Sequence, residues 1–548
     1  MTRHIFSICF IFISISIASG QTLTVSNAQL NFGVVFENAP VSLPITITNN
    51  MGKTVAVTGI RFYNIYGQPA FSTTSGYFTI ANGSSQTIYI EFAPRHNIYH
   101  NSEMVIENDG QRGFVSVDLV GQGRYSKTYY ATSENNEEES LKTSLKNITG
   151  NNYNSLGYNF ARDSMFMAID NKKVNGQGAT QNTLECIYTG RLAVGYLNRT
   201  DCQTNDQFNT EHTFPQGFFN SLEPMKSDLH HLYPTDDGAN NVRASYPFGI
   251  VNNASWSMGG SKFDNNANIF EPRDIQKGAS ARSMLYFVIR YQNYSSFLNS
   301  QEGILKTWNK NYLPSTIEQK RNDDIYILQN NRNPFVDYPQ FADRITSFSN
   351  TSVAPTIYSF DKSQNDINYQ LLIYATSNLY RYVLVNNGNQ TIQFTNFNLS
   401  NNSILNFANG TGSNTALNPG EAIGLDIDLH PSFTGTVTEN LSFQTNVPGM
   451  LNVSVPISGL SSAVGMWESS STSAVYFYPN PASDKLFING LQSNVINVTN
   501  LLGENVYAPL QQNTCEYILD VSQLPAGVYF ITSKDNNNNL WRQSFVKK

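Results

Sequence analysis

The stretch Asn209-Thr-Glu211-His212-Thr-Phe-Pro215-Gln216, continued by Met225-Lys-Ser-Asp228-Leu-His230-His231-Leu-Tyr-Pro234 and then Asn240-Asn241-Val-Arg243, decides how the centre of this chain is read. The chain has 7 histidines, and three of them, His212, His230 and His231, fall here among acids and side-chain amides. A neutral imidazole can take a proton near neutral pH. Carboxylate and carbonyl oxygens suit a hard divalent cation, and a planar guanidinium suits a phosphate. Together these are the parts needed to hydrolyse a phosphodiester.

The surroundings have a texture of their own. Residues 125–345 hold 21 of the 34 Lys+Arg and 23 of the 41 Asp+Glu. Apolar residues fall at helical spacing at Ala281, Met284, Leu285 and Val288 after Gln276-Lys277-Gly278, and a second helix is predicted from Ile304 to Trp308. A mixed α+β domain over 125–345 follows. The whole chain of 548 residues is long enough for three or four domains, at about 150 residues each. Charged residues are only 14% and hydrophobic ones 40%, which excludes disorder driven by high charge. A net charge of −7 argues against coating nucleic acid by bulk charge.

On either side the period changes to two. Val41, Leu43, Ile45 and Ile47, then Ile88, Ile90 and Phe92, then Val115, Val117 and Leu119 alternate with polar residues. With turn signals such as Asn108-Asp109-Gly110 this predicts antiparallel β-structure with one buried face. The pattern recurs 337 residues downstream, where Asn49-Asn50 matches Asn386-Asn387, Gly83 matches Gly420 and Pro94 matches Pro431. Two immunoglobulin-like β-sandwiches are expected, over 21–124 and 350–462, acting as spacers or weak adhesive modules.

The ends read as addresses. Arg3 and His4 precede an apolar run from Ile5 to Ala18, and Ala18-Ser19-Gly20 supplies a signal-peptidase site before Gln21. Residues 1–20 are therefore expected to be a signal peptide, and no later stretch approaches the roughly 18 apolar residues of a spanning helix. Of the cysteines, Cys9 leaves with the signal and Cys515 has no neighbour. Cys186 and Cys202 are disulfide candidates in an oxidising compartment; a bond would contribute about 3 kcal/mol, and two buried thiols are the alternative. After the linker Ser469-Ser-Ser-Thr-Ser473, residues 475–548 read as a small β-sandwich.

The central stretch resembles the bacterial periplasmic and extracellular endonuclease I nucleases of the ββα-metal (His-Me finger) class. The likeness rests on Tyr188-Thr-Gly190, Glu211-His212 with Pro215, the run from Met225 to Pro234, and Asn240 with Arg243. It extends through Phe270-Glu-Pro272, Lys277-Gly278, Ala281-Arg282 and Gln329-Asn-Asn-Arg-Asn-Pro-Phe-Val-Asp337. The family usually has Trp after the His, where this chain has Thr213-Phe214.

What the resemblance implies is a mechanism. His212 would be the general base toward water, with an ordinary pKa near 6.5 sufficing. Glu211 and Asn240 would hold one Mg²⁺, with Mn²⁺ or Ca²⁺ as alternatives and Asn241 competing for the role. The ion would neutralise charge on phosphorus and supply the water that protonates the leaving 3′ oxygen, and Arg243 would brace a phosphate. Products would carry 5′-phosphates. His230 and His231 would either orient the site from behind or fix the loop structurally, and Asp228 would either add to the metal site from behind or cap the segment from Leu229. Lys277 and Arg282 are either DNA contacts or solvated charges, and Asp236-Asp237 read as a solvent-facing turn. Adjacent strand residues point to opposite faces, so Glu211 and His212 are expected at a strand end or an irregular turn.

The tail, with Tyr478-Pro-Asn-Pro-Ala482, Leu524-Pro-Ala-Gly-Val-Tyr-Phe-Ile531 and Phe545-Val-Lys-Lys548, resembles the C-terminal sorting domain of type IX secretion. The expected whole is a multidomain protein with an α+β ββα-metal nuclease core flanked by immunoglobulin-like β-sandwiches. It would be secreted or surface-bound in a Gram-negative bacterium, with DNA as substrate and RNA as an alternative, and with the type IX machinery as partner. The rival expectations are a surface adhesin with a decayed nuclease core and a phosphodiesterase acting on small esters.

Overall fold

The computed structural model describes residues 23–64, 70–108, 114–292, 295–462, 476–489, 496–501, 503–512, 517–534 and 540–548. The signal-like run, the turn at Asp109-Gly110, the Ser469–Ser473 linker and Cys515 lie outside the described residues. Among the described residues no helix is long and apolar enough to cross a membrane.

The alternating N-terminal stretches form two facing sheets. One has strands in the order Leu23–Val25, Val41–Asn49, Ser85–Phe92, Phe71–Ser72; the other runs Gln29–Phe36, Phe114–Arg124, Tyr99–Asn108, Val55–Asn64, Phe78–Ile80. Their inward residues meet in one core, with Ile45, Ile47, Ile88, Ile90 and Phe92 from the first sheet against Val57, Met104, Ile106, Val117 and Leu119 from the second. Each such side chain contributes roughly 1.5–3 kcal/mol by burial.

The downstream copy repeats this order strand for strand. Its sheets run Phe360–Lys362, Asn378–Asn386, Ala422–Leu429, Leu405–Phe407, and Ile367–Ile373, Asn452–Ser462, Gly435–Thr445, Ile392–Leu399, Thr415–Leu417. The anchors noticed in the sequence turn out to be one buried device used twice. Asn49 donates Nδ2 to the carbonyls of Lys53 and Ile80 (2.8 and 2.7 Å) and accepts the Met51 N–H at 2.9 Å. Asn386 donates to Gln390 and Leu417 (both 2.8 Å) and accepts from Gly388 at 2.9 Å. Gly83 and Gly420 return their N–H groups to the Asn49 and Asn386 carbonyls, each with positive φ (+74° and +83°), a conformation a side chain would strain.

The first sandwich packs against the central region. Tyr125, leaving its last strand, stacks on Tyr338 of the central region at 3.7 Å between ring centroids and 5° between planes. Tyr338 donates its hydroxyl to Glu37, Arg344 donates Nη2 to Asn97, and Gln340 donates to the Arg95 carbonyl.

The central region packs short sheets around the helix Asp274–Tyr291, which is buried on nearly every side. Gly278 permits its close passage, since a Cβ there would lie 2.3 Å from the Tyr312 carbonyl oxygen. The predicted second helix is Glu302–Asn311. Beside them strand Phe208–His212 pairs antiparallel with Leu232–Asp236, which leads directly into helix Asp237–Arg243.

Residues 476–548 fall in the second of two compact units. There a four-stranded sheet (Tyr476–Tyr478, Lys485–Asn489, Tyr517–Asp520, Leu510–Gln512) and a three-stranded sheet (Ile496–Asn500, Gly527–Lys534, Leu540–Lys547) share a core of Leu486, Ile488, Val498, Leu519, Ile531 and Phe545.

Replacing Asn49 by Ala removes its bonds to the buried Ile80 carbonyl, the partly buried Lys53 carbonyl and the Met51 N–H. We expect a loss of about 2–4 kcal/mol from the first sandwich, and the same for Asn386→Ala in the second. Denaturant unfolding of the two variants should show a lowered midpoint in each, and an unchanged midpoint in either would remove that amide from its stabilising role.

Candidate active site

Glu211 and His212 close the Phe208–His212 strand, opposite Tyr233 and Leu232. The expected strand end is present, and strand alternation holds up to it. Thr210 and His212 share one face, where Arg162 donates Nε to Thr210 Oγ1 at 3.1 Å and the Tyr158 ring lies 5.6 Å from the imidazole. Glu211 leaves on the other face, toward Tyr188 and Arg243. A phosphate reached by both must therefore sit around the strand end, not over a sheet face.

Glu211 is only 3% exposed. Its Oε1 accepts the Tyr188 hydroxyl at 2.7 Å and lies 3.0 Å from Arg243 Nε, while no partner holds Oε2 among the described residues. Burial pushes this carboxyl above its ordinary range, with Arg243 and Tyr188 pulling against it.

The His212 ring is fixed by one bond. Nε2 stands 3.2 Å from the Lys226 carbonyl, which can only accept, so Nε2 carries the proton and Nδ1 keeps its lone pair. Burial, then repulsion from His231 (ring centroids 5.5 Å apart), lowers the His212 pKa to about 3 despite that bond. The ordinary pKa expected from sequence is thus corrected: burial keeps the imidazole neutral far below its ordinary range.

Arg243 is also corrected. It is fully buried, with Nη2 donating to the Thr213 carbonyl at 2.5 Å, Nη1 to Ala244 at 2.7 Å, and its guanidinium over the Phe248 ring. It clamps the strand end and Glu211, and does not face an incoming phosphate. Asn240, one turn earlier on the helix, is half-buried, and its side chain has no hydrogen-bond partner among the described residues; Asn241 is exposed.

Asp228 faces the domain core instead. It caps the Leu229–His231 turn through His230 N at 3.2 Å and accepts from Gln329 (3.0 Å), Tyr286 (2.8 Å) and Tyr291 (2.8 Å), with Arg290 Nε at 3.5 Å. His230 bonds the Asn331 carbonyl through Nε2 and packs on Tyr286. His231 bonds the Met225 carbonyl, accepts Thr213 N–H through its own carbonyl and backs the His212 ring. Of these three, only His231 touches the site.

Other sequence expectations also change. Lys277 is buried against Glu271 and Asp274, and Arg282 is paired through two nitrogens with Glu318, so neither is a solvated charge or a nucleic-acid contact. Asp236 is buried as the N-cap of Asp237–Arg243, bonded to Ala239 N and Thr189 Oγ1, and Asp237 accepts from Asn209. Cys186 and Cys202 are buried free thiols rather than a disulfide; Cys186 sits against Thr235 and Asp236. Phe214, where the family usually has Trp, stacks on Phe287 at 4.0 Å. Tyr188 and Lys226 stood in the motifs without a role of their own, and Tyr158 and Arg162 stood outside them. Only the four-residue interval between Tyr158 and Arg162 on one helix hinted at a joint face.

The donors fit a divalent cation of oxygen preference. Among the described residues there is no cluster of three His, Cys, Asp or Glu to cage a metal. One open carboxylate oxygen on Glu211 and the Asn240 amide suit an ion that keeps several waters, as Mg²⁺ does.

Comparison with known proteins decides the family of this region. Residues 137–340 match the family model Endonuclease I. The central region is an Endonuclease I domain. An extracellular ribonuclease of Bacillus subtilis (strain 168) is 28% identical to the chain over 236 residues, 40% of this chain and 78% of that protein. An extracellular deoxyribonuclease of Aeromonas hydrophila is 27% identical over 143 residues, 25% of this chain and 56% of that protein. Residues 476–548 match the family model of a secretion system C-terminal sorting domain.

Within the Endonuclease I domain, burial works against the Asp228 charge, but Arg290, His230, His231 and Gln329 bring its pKa down to about 2. A pKa depressed below the unfolded value stabilises the fold above about pH 4, and the contribution disappears as pH falls through about 2. Asp228→Asn should therefore cost about 3 kcal/mol at neutral pH by leaving Arg290 unpaired. Paired thermal melts should show the gap to wild type narrowing between about pH 4 and 2, and a gap that stays constant would contradict the ionised assignment.

Proposed function

We propose that the chain is a secreted, divalent-metal-dependent endonuclease of ββα-metal type that hydrolyses DNA, and RNA as well, with little sequence preference. The observation that carries this reading is His212 locked by the Lys226 carbonyl, with Nδ1 open at the end of the strand that also carries Glu211. The strand–strand–helix order from Phe208 to Arg243, the Endonuclease I match and the extracellular ribonuclease and deoxyribonuclease relatives support it.

In this mechanism His212 Nδ1 takes a proton from the water that attacks phosphorus. The new P–O bond forms as the P–O3′ bond breaks, and the leaving 3′ oxygen takes its proton from a solvent water, giving a 3′-hydroxyl and a 5′-phosphate. Glu211 and Asn240 hold the metal, which supplies charge neutralisation at the phosphate when bound. Arg243 and Tyr188 position the Glu211 carboxylate by occupying Oε1, and His231 keeps the His212 ring in place.

The same reading assigns residues 1–20 to a cleaved signal peptide, 21–124 and 350–462 to immunoglobulin-like sandwiches, 125–345 to the nuclease and 475–548 to type IX sorting. Export to the medium or cell surface of a Gram-negative bacterium follows from the sorting match and the extracellular relatives.

Supercoiled plasmid and a structured RNA, each incubated with the mature protein and Mg²⁺, should both be cut, and EDTA should stop the cutting. His212→Ala should slow it by about 10²–10⁴-fold. End-labelled products should carry 5′-phosphates. Undiminished cleavage by His212→Ala would remove the base assignment, and undiminished cleavage in EDTA would remove the metal.

A further inference from the structure

On the His212 face two cations share one aromatic ring. The Arg162 guanidinium lies 4.8 Å from the Tyr158 ring centroid and the Lys226 ammonium lies 4.6 Å from the same centroid. Each cation gains from the ring quadrupole, but two like charges around one ring also repel. The carboxylates near them are engaged elsewhere: Asp163 pairs with Arg199 at 2.6 Å, and Glu223 accepts the Ser227 hydroxyl at 2.5 Å. Neither Arg162 nor Lys226 has an ion-pair partner among the described residues. Burial further disfavours the Arg162 charge, lowering its pKa.

Both cations are built into the catalytic strand end. Arg162 spends only Nε on Thr210, two residues before His212, and so keeps the fork of Nη1 and Nη2 for a ligand. Lys226 supplies the carbonyl that fixes the His212 ring, so its ammonium leaves the same residue that sets the base. All three side chains, Tyr158, Arg162 and Lys226, are half-buried and reachable from solvent.

We propose that Arg162 and Lys226, set against Tyr158, form a phosphate-binding subsite that holds the nucleic-acid backbone against His212. The role expected of Arg243 passes to these two residues, because Arg243 is spent inside the domain. The ligand class is a phosphodiester strand, recognised by charge and not by base, so the subsite is indifferent to sequence and to sugar. It rests on the nuclease reading above.

The test is anisotropy of a labelled oligonucleotide in EDTA across a salt series, with plasmid cleavage in Mg²⁺ measured in parallel. Arg162→Gln, Lys226→Gln and the double variant are compared with wild type. Lys320→Gln, at a surface lysine paired with Asp324, is the control. Losing one phosphate contact should reduce the slope of log K against log salt by about 1 and weaken binding by about tenfold. In cleavage the loss should appear in KM more than in kcat. Arg162→Lys should keep the slope, which separates lost charge from lost folding. Wild type that cuts while the double variant binds with unchanged slope and affinity overturns the subsite and leaves the nuclease standing. Wild type that neither cuts nor binds overturns both, and wild type that binds through these residues without cutting supports the subsite and overturns the nuclease.

Discussion

A carboxylate with no access to water must find all its stabilisation inside the protein, and Asp228 is such a group at the centre of the Endonuclease I domain. Its partners come from three separate places: the turn it caps, the helix Asp274–Tyr291 through Tyr286, Arg290 and Tyr291, and Gln329 at the end of Thr316–Gln329. A buried charge costs several kcal/mol unless every lone pair is met. The three elements meet around it, so this charge, together with the bonds of Leu229 to Arg321 and Gln329, holds the loop from Met225 to His231 in place. That loop supplies the Lys226 carbonyl and the His231 ring, which between them set the orientation of His212. The geometry of the site is therefore governed by a residue that never reaches it.

The strand end divides labour between its two faces. On one face Glu211 is enclosed by Tyr188 and Arg243, with one oxygen occupied and the other left over. On the other face Tyr158, Arg162 and Lys226 surround His212 with charge that is not neutralised locally. A polyanion can approach such a place although the chain as a whole carries −7, since Coulomb interactions at contact outweigh those screened beyond about 8–10 Å.

The sequence made the sandwich repeat legible because Asn49 and Gly83, and their partners Asn386 and Gly420, occupy positions that only those residue types serve. Glu211 and His212 were legible for a similar reason, as a rare adjacent pair in a dense motif. The state of each charge was not legible. Nothing in the spacing of Arg243 from Asn240 distinguishes a guanidinium that faces solvent from one enclosed by carbonyls. Lys277 and Arg282 were equally silent, because their partners Glu271 and Glu318 are defined by packing and not by motif. Arg162 meets Thr210 across 48 positions, a contact that exists only after the strand and helix have docked.

The two thiols of the central region carry a consequence for how the protein can be made. Cys186 and Cys202 are buried apart from one another in bonding, and residues 125–345 contain no other cysteine. Reducing agents therefore have no covalent bond in this domain to open. Packing and charge, with no covalent cross-link, hold the Glu211–His212 strand end in place.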